Sequence, residues 1–237
     1  MTSASRLEGS RVVVIGAGSG MGRDIALSVA KAGATVVLAG RDPRRLEWTA
    51  GEIGDGTETI AVDLADEDSI AALAAKAGQV DHLISTAGAA ANGPLAELTK
   101  QAIDTAFAAK VTGPILLAKH FDVTGSMLFF SGVIAWRPAP QRTVMATTNG
   151  ALAHLVQALA VELAPVRVNA ISPGIVDSGA WDGMGEGKAA FLDSVAAKNP
   201  ARRVGTTEDL TEAALFALTN RFTTGTVLHV DGGGRLA

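Results

Sequence analysis

Residues 16–22 read GAGSGMG, and the chemistry open to them is that of a phosphate cradle. Glycines without Cβ atoms let backbone N–H groups approach an anion, and a helix starting there adds its positive end. The fingerprint G-x-G-x-x-G is not met, because Met21 stands at its third glycine. Gly16, Gly20 and Gly22 meet the spacing G-x-x-x-G-x-G instead. Such a loop also occurs as plain turn chemistry, so its place between a strand and a helix carries the reading. A second feature sets the ligand. An acidic residue about 20 positions past the glycines would hold the ribose hydroxyls of NAD, whereas an arginine suits the additional phosphate of NADP. Gly40 and Arg41 occupy that place, with no carboxylate before Asp42. NADP(H) is therefore favoured over NAD(H). Arg44 and Arg45 follow and read as the start of a solvated helix.

What the chain lacks narrows its chemistry further. Its 237 residues include no cysteine and no tyrosine, which excludes disulfides, thiolate nucleophiles and phenolic acids. His82, His120 and His229 show no spacing for a metal. A net charge of -4 without a basic run argues against nucleic acid or an anionic membrane as partner. The opening MTSASRLEGSR has no apolar core and does not read as a signal peptide. The long charge-free stretches contain Gly, Asn, Thr, Gln or His, so none reads as a membrane span. A soluble, cytoplasmic protein with a small-molecule substrate is expected.

The elements that position these residues follow from hydrophobic pattern. Short β-branched runs alternate with alanine-rich helical stretches, which marks a parallel sheet covered on both faces. Strands are expected at RVVVIGAG, TVVLAGR, TIAVDL, DHLISTAG, SMLFFSG, RVNAISPG and TVLHVDGG. Helices are expected through MGRDIALSVAKAG, ending at Gly33, and at 68–77, 99–120, 146–164 and 207–219. The fold class is α/β, a doubly wound Rossmann-type fold with a seven-stranded, mostly parallel sheet. With no repeat and no linker, residues 1–237 read as one domain. WDGMGEGKAAFLDS, residues 181–194, breaks the alternation and reads as part of a lid near 178–200.

Taken together, these residues resemble the short-chain dehydrogenases/reductases along nearly the whole chain. GAGSGMG is similar to the family's glycine motif, which implies cofactor contacts at Gly16, Ser19, Gly20, Met21 and Gly22. VDL resembles its adenine-contacting turn, with Asp63 and Leu64 as contacts. Thr86, Ala87 and Gly88 stand where the family usually has Asn-Ala-Gly, and FFSG brings Ser131 to the end of the fifth strand. LAVELAPVRVNAISPGIVDS resembles the helix, strand and Pro-Gly turn beside the nicotinamide, implying contacts at Pro173, Gly174 and Val176. RVGTTEDLTEAALFAL and TGTVLHVDGG are similar to the family's ending. The resemblance implies hydride transfer between nicotinamide and a carbonyl or alcohol carbon. It also implies a homodimer or homotetramer paired through the 146–164 helix.

The catalytic group departs from the family's pattern. There a tyrosine gives or takes the proton, and a lysine lowers its pKa and holds the ribose. A serine orients the substrate oxygen and an asparagine supports a water relay. LAVELAP fixes the register, placing Met145 at the tyrosine and Asn149 at the lysine, and NGAL stands for the usual KAAL. A methionine thioether carries no transferable proton. Ser131 is displaced by about one place, so Gly132 competes for the serine position. AFAAKVTGP is similar to the family's NVTGP element and puts Lys110 where asparagine belongs. Lysine and asparagine have changed places.

Two readings follow. Either Lys110 is an ordinary helix lysine with its head in water, or it points into the cleft and polarises the substrate oxygen or supplies a proton, its pKa lowered by burial. Asn149 can still hydrogen-bond a ribose hydroxyl, without charge. His154 lies five residues past Asn149, about 140° around the helix, and faces away from the site. Arg137 and Arg142 either meet an anionic substrate or sit in solvent, while Asp177, Trp181 and Met184 fall in the lid region. The expected function is an NADP(H)-dependent oxidoreductase acting on a carbonyl or alcohol, with Ser131 and Lys110 serving instead of a tyrosine. The alternatives are a catalytically silent NADP-binding protein, as sensor or inactive partner subunit, and a cofactor-assisted isomerase or lyase.

Overall fold

Val12, Val13, Val14 and Ile15 are all buried, so the first strand must have apolar layers on both of its faces. The computed structural model, which describes residues 7–237, supplies those layers. The first six residues of the opening stretch lie outside the described residues. The central strands are β1 (Arg11–Ile15), β2 (Thr35–Gly40), β3 (Glu58–Ala61), β4 (Val80–Ser85), β5 (Val123–Phe130) and β6 (Arg167–Pro173). Two short strands, β7 (Val176–Asp177) and β8 (Gly205–Thr206), precede β9 (Val227–Val230). The helices are α1 (Gly20–Lys31), α2 (Pro43–Ile53), α3 (Glu67–Ala77), α4 (Lys100–Phe107), α5 (Gly113–His120), α6 (Thr143–Glu162), α7 (Gly187–Lys198) and α8 (Thr207–Thr219).

The seven-stranded sheet has the order β3-β2-β1-β4-β5-β6-β9. Every pairing in it is parallel, with Val13 opposite both Val37 and Leu83. The sequence reading of a mostly parallel sheet thus becomes a wholly parallel one. β7 and β8 form a separate two-stranded sheet that the sequence did not announce. Side chains alternate across the strands with period two. Val13, Val37, Leu83 and Phe129 pack with Leu73 of α3, Leu117 of α5 and Leu152, Val156 and Leu159 of α6. Val14, Leu38, Ile84 and Phe130 pack on the other face with Ile25 of α1, Leu46 of α2 and Leu210 of α8. Among the described residues α6 is the one helix long and apolar enough to cross a membrane by length and composition. Here its apolar residues Leu152, Val156 and Leu159 are buried in the core.

Two local features position the site. The chain runs β1 to β3 in one direction along the sheet and then returns to lay β4 on the other side of β1. That reversal opens a crevice at the strands' carboxyl ends, the place where doubly wound sheets bind ligands. The helix expected over 99–120 is interrupted by a π turn at Ala108–Thr112. Pro114 gives a physical reason, since its ring would meet the carbonyl of Lys110 in an uninterrupted α ladder and it has no N–H to donate. Lys110 sits inside that wider turn and is buried.

Candidate active site

A cleft of about 700 Å³ runs along the crevice, within the size range of cofactor sites. Its floor is the β1–α1 turn. Gly16 and Gly20 adopt positive φ of 87° and 50°. A Cβ at Gly16 would come within 2.5 Å of Thr86 Oγ1, and one at Gly22 within 2.2 Å of the Gly16 carbonyl oxygen. The loop is therefore as compact as backbone contact permits. Ser19 caps α1 in extended conformation without a side-chain hydrogen bond to the helix, so the first-turn N–H groups remain open to an anion.

The wall on the β2 side is cationic. Arg41 and Arg45 both line the cleft. Asp42, the first carboxylate after β2, caps α2: its Oδ1 accepts from Arg44 N at 3.0 Å and Arg45 N at 3.4 Å, and its Oδ2 pairs with Arg45 Nε at 3.4 Å. Arg45 does begin a helix, as read from sequence, and it also reaches the cleft. The sequence signal for that was the missing acid at the end of β2, where Gly40 and Arg41 precede the helix cap Asp42. Asp63 and Leu64 line the same end, and Thr86, Ala87 and Gly88 line the middle. Thr86 is fixed by its hydroxyl donating to the Ile15 carbonyl at 3.1 Å. Thr105, Ala108 and Ala109, from α4 and the π turn, complete the wall and were not singled out in the sequence. So do Ser178, Gly179 and Ala180, whose approach to the glycine loop puts the Ser178 carbonyl 3.3 Å from where a Gly20 Cβ would lie. A glycine cradle that a Cβ would fill, an open helix end and two arginines fit a dinucleotide phosphate chain.

Four residues assigned to the cofactor by resemblance do not line this cleft. Asn149 is buried, its Nδ2 donating to the Met145 carbonyl at 2.7 Å while its Oδ1 has no partner. Pro173 ends β6, and Gly174 packs so closely that a Cβ would lie 2.8 Å from Asp231 Cα. Val176 is buried and paired with Gly205.

The two residues assigned to catalysis are also held inside. The Ser131 hydroxyl donates to the Asn149 carbonyl at 2.9 Å, which aims it at α6 and not into the cleft. Gly132, next to it, would place a Cβ 3.5 Å from Asn149 Oδ1. Lys110 contradicts the solvated-lysine reading. Its ammonium donates to the Phe130 carbonyl, and burial pushes its pKa down from 10.5 to about 8. A Cβ on Gly88 would lie 3.6 Å from Lys110 Nζ, so the amine stands directly behind a residue of the cleft wall. Met145, half-buried in the first turn of α6, adds no proton donor.

The remaining candidates divide. His154 is exposed, as its position around the helix required. His82 pairs its Nδ1 with Ser126 Oγ at 2.9 Å inside the sheet, and burial lowers its pKa to about 4. Arg137 donates to the Gly234 carbonyl at 3.1 Å, and Arg142 is exposed. In the 178–200 segment Trp181 donates to the Val176 carbonyl at 2.9 Å, and Lys188 bridges Asp177 and Asp182. These contacts tie α7 to the end of β7, beside the cleft.

Comparison with known proteins agrees with this architecture. The family described as Enoyl-(Acyl carrier protein) reductase matches residues 16–234. L-xylulose reductase of Mus musculus is 35% identical over 242 residues, spanning 96% of this chain and 97% of its own. A solved structure described as a short chain dehydrogenase/reductase family protein is 33% identical with a TM-score of 0.86, covering 98% of this chain and 100% of the other. L-sorbose reductase of Gluconobacter frateurii, solved with NADPH and L-sorbose, is 25% identical with a TM-score of 0.90 and 98% of both chains covered.

Proposed function

Because the chain belongs to the short-chain dehydrogenase/reductase family, we propose that it is an NADP(H)-dependent oxidoreductase acting on a carbonyl or alcohol through a non-standard catalytic group. The observation that carries this reading is the pair Arg41 and Arg45 on the cleft wall, with Asp42 committed to capping α2. An arginine pair suits a ribose phosphate, and Asp42 divides its carboxylate between the α2 cap and Arg45 Nε at 3.4 Å. The bound cofactor would supply hydride. The glycine loop and the α1 N-terminus would hold its diphosphate, and Asp63 and Leu64 would border its adenine. Lys110 and Ser131 are assigned to the substrate oxygen; neither lines the cleft, so they act on it through water. Ketoses and polyols head the substrate panel, since relatives are named L-xylulose reductase and sorbitol dehydrogenase. We place the protein in the cytoplasm as a homodimer or homotetramer, with residues 178–200 as its lid.

Calorimetric titration with NADPH and NADH tests the cofactor, and a carbonyl panel followed by NADPH oxidation tests the activity. NADPH should bind more tightly than NADH, and equal affinity would sink the cofactor reading. Arg41→Ala should weaken NADPH by roughly ten-fold or more, the loss expected for one charge-assisted phosphate contact of about 1.5–3 kcal/mol, and leave NADH nearly unaffected.

A second reading has its own observation. The Ser131 hydroxyl and the Lys110 ammonium both spend their hydrogen bonds on backbone carbonyls, and the chain has no tyrosine. That favours a catalytically silent NADP-binding protein. Tight NADPH binding with no turnover on any member of the panel would decide for it.

A further inference from the structure

The exchange of lysine and asparagine leaves a cation where the fold offers it no counter-charge. Lys110 is 7% exposed, and its ammonium reaches the Phe130 carbonyl but no carboxylate among the described residues. The elements packed around it bring none. On α4, Asp104 is exposed and paired with Lys100. On α5, Lys119 and His120 hold Glu67 at the helix's far end. From α6 comes the neutral Asn149, with His154 and Glu162 directed outward. β4 and β5 lead into Gly88 and Ser131, neither of which carries charge.

The position of this cation relative to the cleft is fixed by topology. Along the carboxyl edge of the sheet the strands run β2, β1, β4. Arg41 follows β2, the glycine loop follows β1, and Gly88 follows β4, with Lys110 Nζ 3.6 Å behind where its Cβ would be. Arg41 and the glycine loop would hold the phosphates of a dinucleotide, and the next residues along that edge are Gly88 and, behind it, Lys110.

We propose that Lys110 makes the cleft discriminate between the oxidation states of the cofactor, binding the neutral dihydronicotinamide of NADPH in preference to the cationic ring of NADP+. The proposal rests on the NADP(H) reading above. A fixed buried cation repels a second positive charge and leaves a neutral ring alone. Two like charges about 10 Å apart at an effective dielectric of about 20 shift an equilibrium by about ten-fold. Lys110 is mostly charged at neutral pH and sheds its proton near pH 8. The repulsion is therefore present below that pH and fades above it. NADP+ should gain affinity as pH rises through 8 while NADPH does not. The 2′-phosphate, with a second pKa of about 6, is common to both forms and cancels from their ratio.

The test is calorimetric titration of NADP+ and NADPH between pH 6.5 and pH 9 on the unmodified protein, Lys110→Met and Lys110→Arg. The unmodified protein should bind NADPH about ten-fold more tightly than NADP+ at the low end, with the ratio falling toward unity at the high end. Lys110→Met should show a small ratio at every pH, and Lys110→Arg, which keeps its charge, a large one throughout. A ratio in the unmodified protein that is the same at both ends overturns the proposal without needing either variant. So does a Lys110→Met ratio that keeps the original pH dependence. Failure of both cofactors to bind overturns the NADP(H) reading and this inference with it. Binding of both without a pH-dependent ratio overturns this inference alone.

Discussion

Rebuilding the missing acid, by Gly132→Ser, Met145→Tyr and Asn149→Lys on a Lys110→Asn background, is expected to raise kcat for NADPH-dependent ketone reduction by about 10²–10⁴-fold over the unmodified protein. That is the typical contribution of positioned general acid assistance. The structure accommodates the changes one by one. A Cβ on Gly132 would sit 3.5 Å from Asn149 Oδ1, an ordinary contact, and the Gly132 φ of -173° is extended backbone open to serine. Met145 is half-buried in the first turn of α6, so a tyrosine there replaces a side chain that is not locked in the core. Position 149 is 2% exposed and packs near the π turn, so a lysine there would compete with the buried charge of Lys110. Removing that charge by Lys110→Asn is therefore part of the design. The measurement is steady-state turnover across a ketone and ketose panel, with NADPH binding as a check on folding. A variant that binds NADPH normally yet turns over no faster than the unmodified protein would refute the idea that this cleft lacks only that serine, tyrosine and lysine.

A second large effect concerns stability. The Lys110 pKa is lowered by burial from 10.5 to about 8. Below pH 8 the amine is charged in both the folded and the unfolded chain, and burying that charge works against the fold in full. Between 8 and 10.5 the unfolded chain holds more proton than the folded one, so stability rises with pH. Above 10.5 the penalty is gone. At 1.36 kcal/mol for each pKa unit, the protein should gain about 3 kcal/mol relative to Lys110→Met between pH 7 and pH 10.5. Comparison with the variant removes the contribution of the other lysines. Urea unfolding of both proteins at the two pH values measures it, and a difference that does not change with pH would mean that Lys110 is solvated.

The sequence by itself determined most of the fold. Strands buried on both faces read as continuous β-branched runs, so RVVVI and TVVLAG announce themselves without tertiary information. Amphipathic helices that cover a sheet must repeat at helical spacing, as Leu152, Val156 and Leu159 do. The glycine-loop end of the cleft was legible for a related reason. Gly16, Gly20 and Gly22 are required by local backbone conformation and close approach, and local requirements leave a local pattern. Arg41, which lines the same cleft, was placed there by its position directly after β2.

The end of the site around Ser131, Asn149 and Lys110 was not legible, because its meaning depends on direction. Sequence could place Ser131 at the end of β5, but only packing turns its hydroxyl toward the Asn149 carbonyl. The register could put Asn149 at the head of α6, but whether its amide reaches a cofactor depends on the Met145 carbonyl one turn back, which takes it. Lys110 is the sharpest case. A lysine between Ala109 and Val111 on an apparently unbroken helix is compatible with solvent or cleft. The π turn rotates it inward, and the Phe130 carbonyl, twenty residues away in sequence, holds it there. Side-chain direction is set by which elements pack together, and the buried charge of Lys110 is placed by contacts that no local pattern encodes.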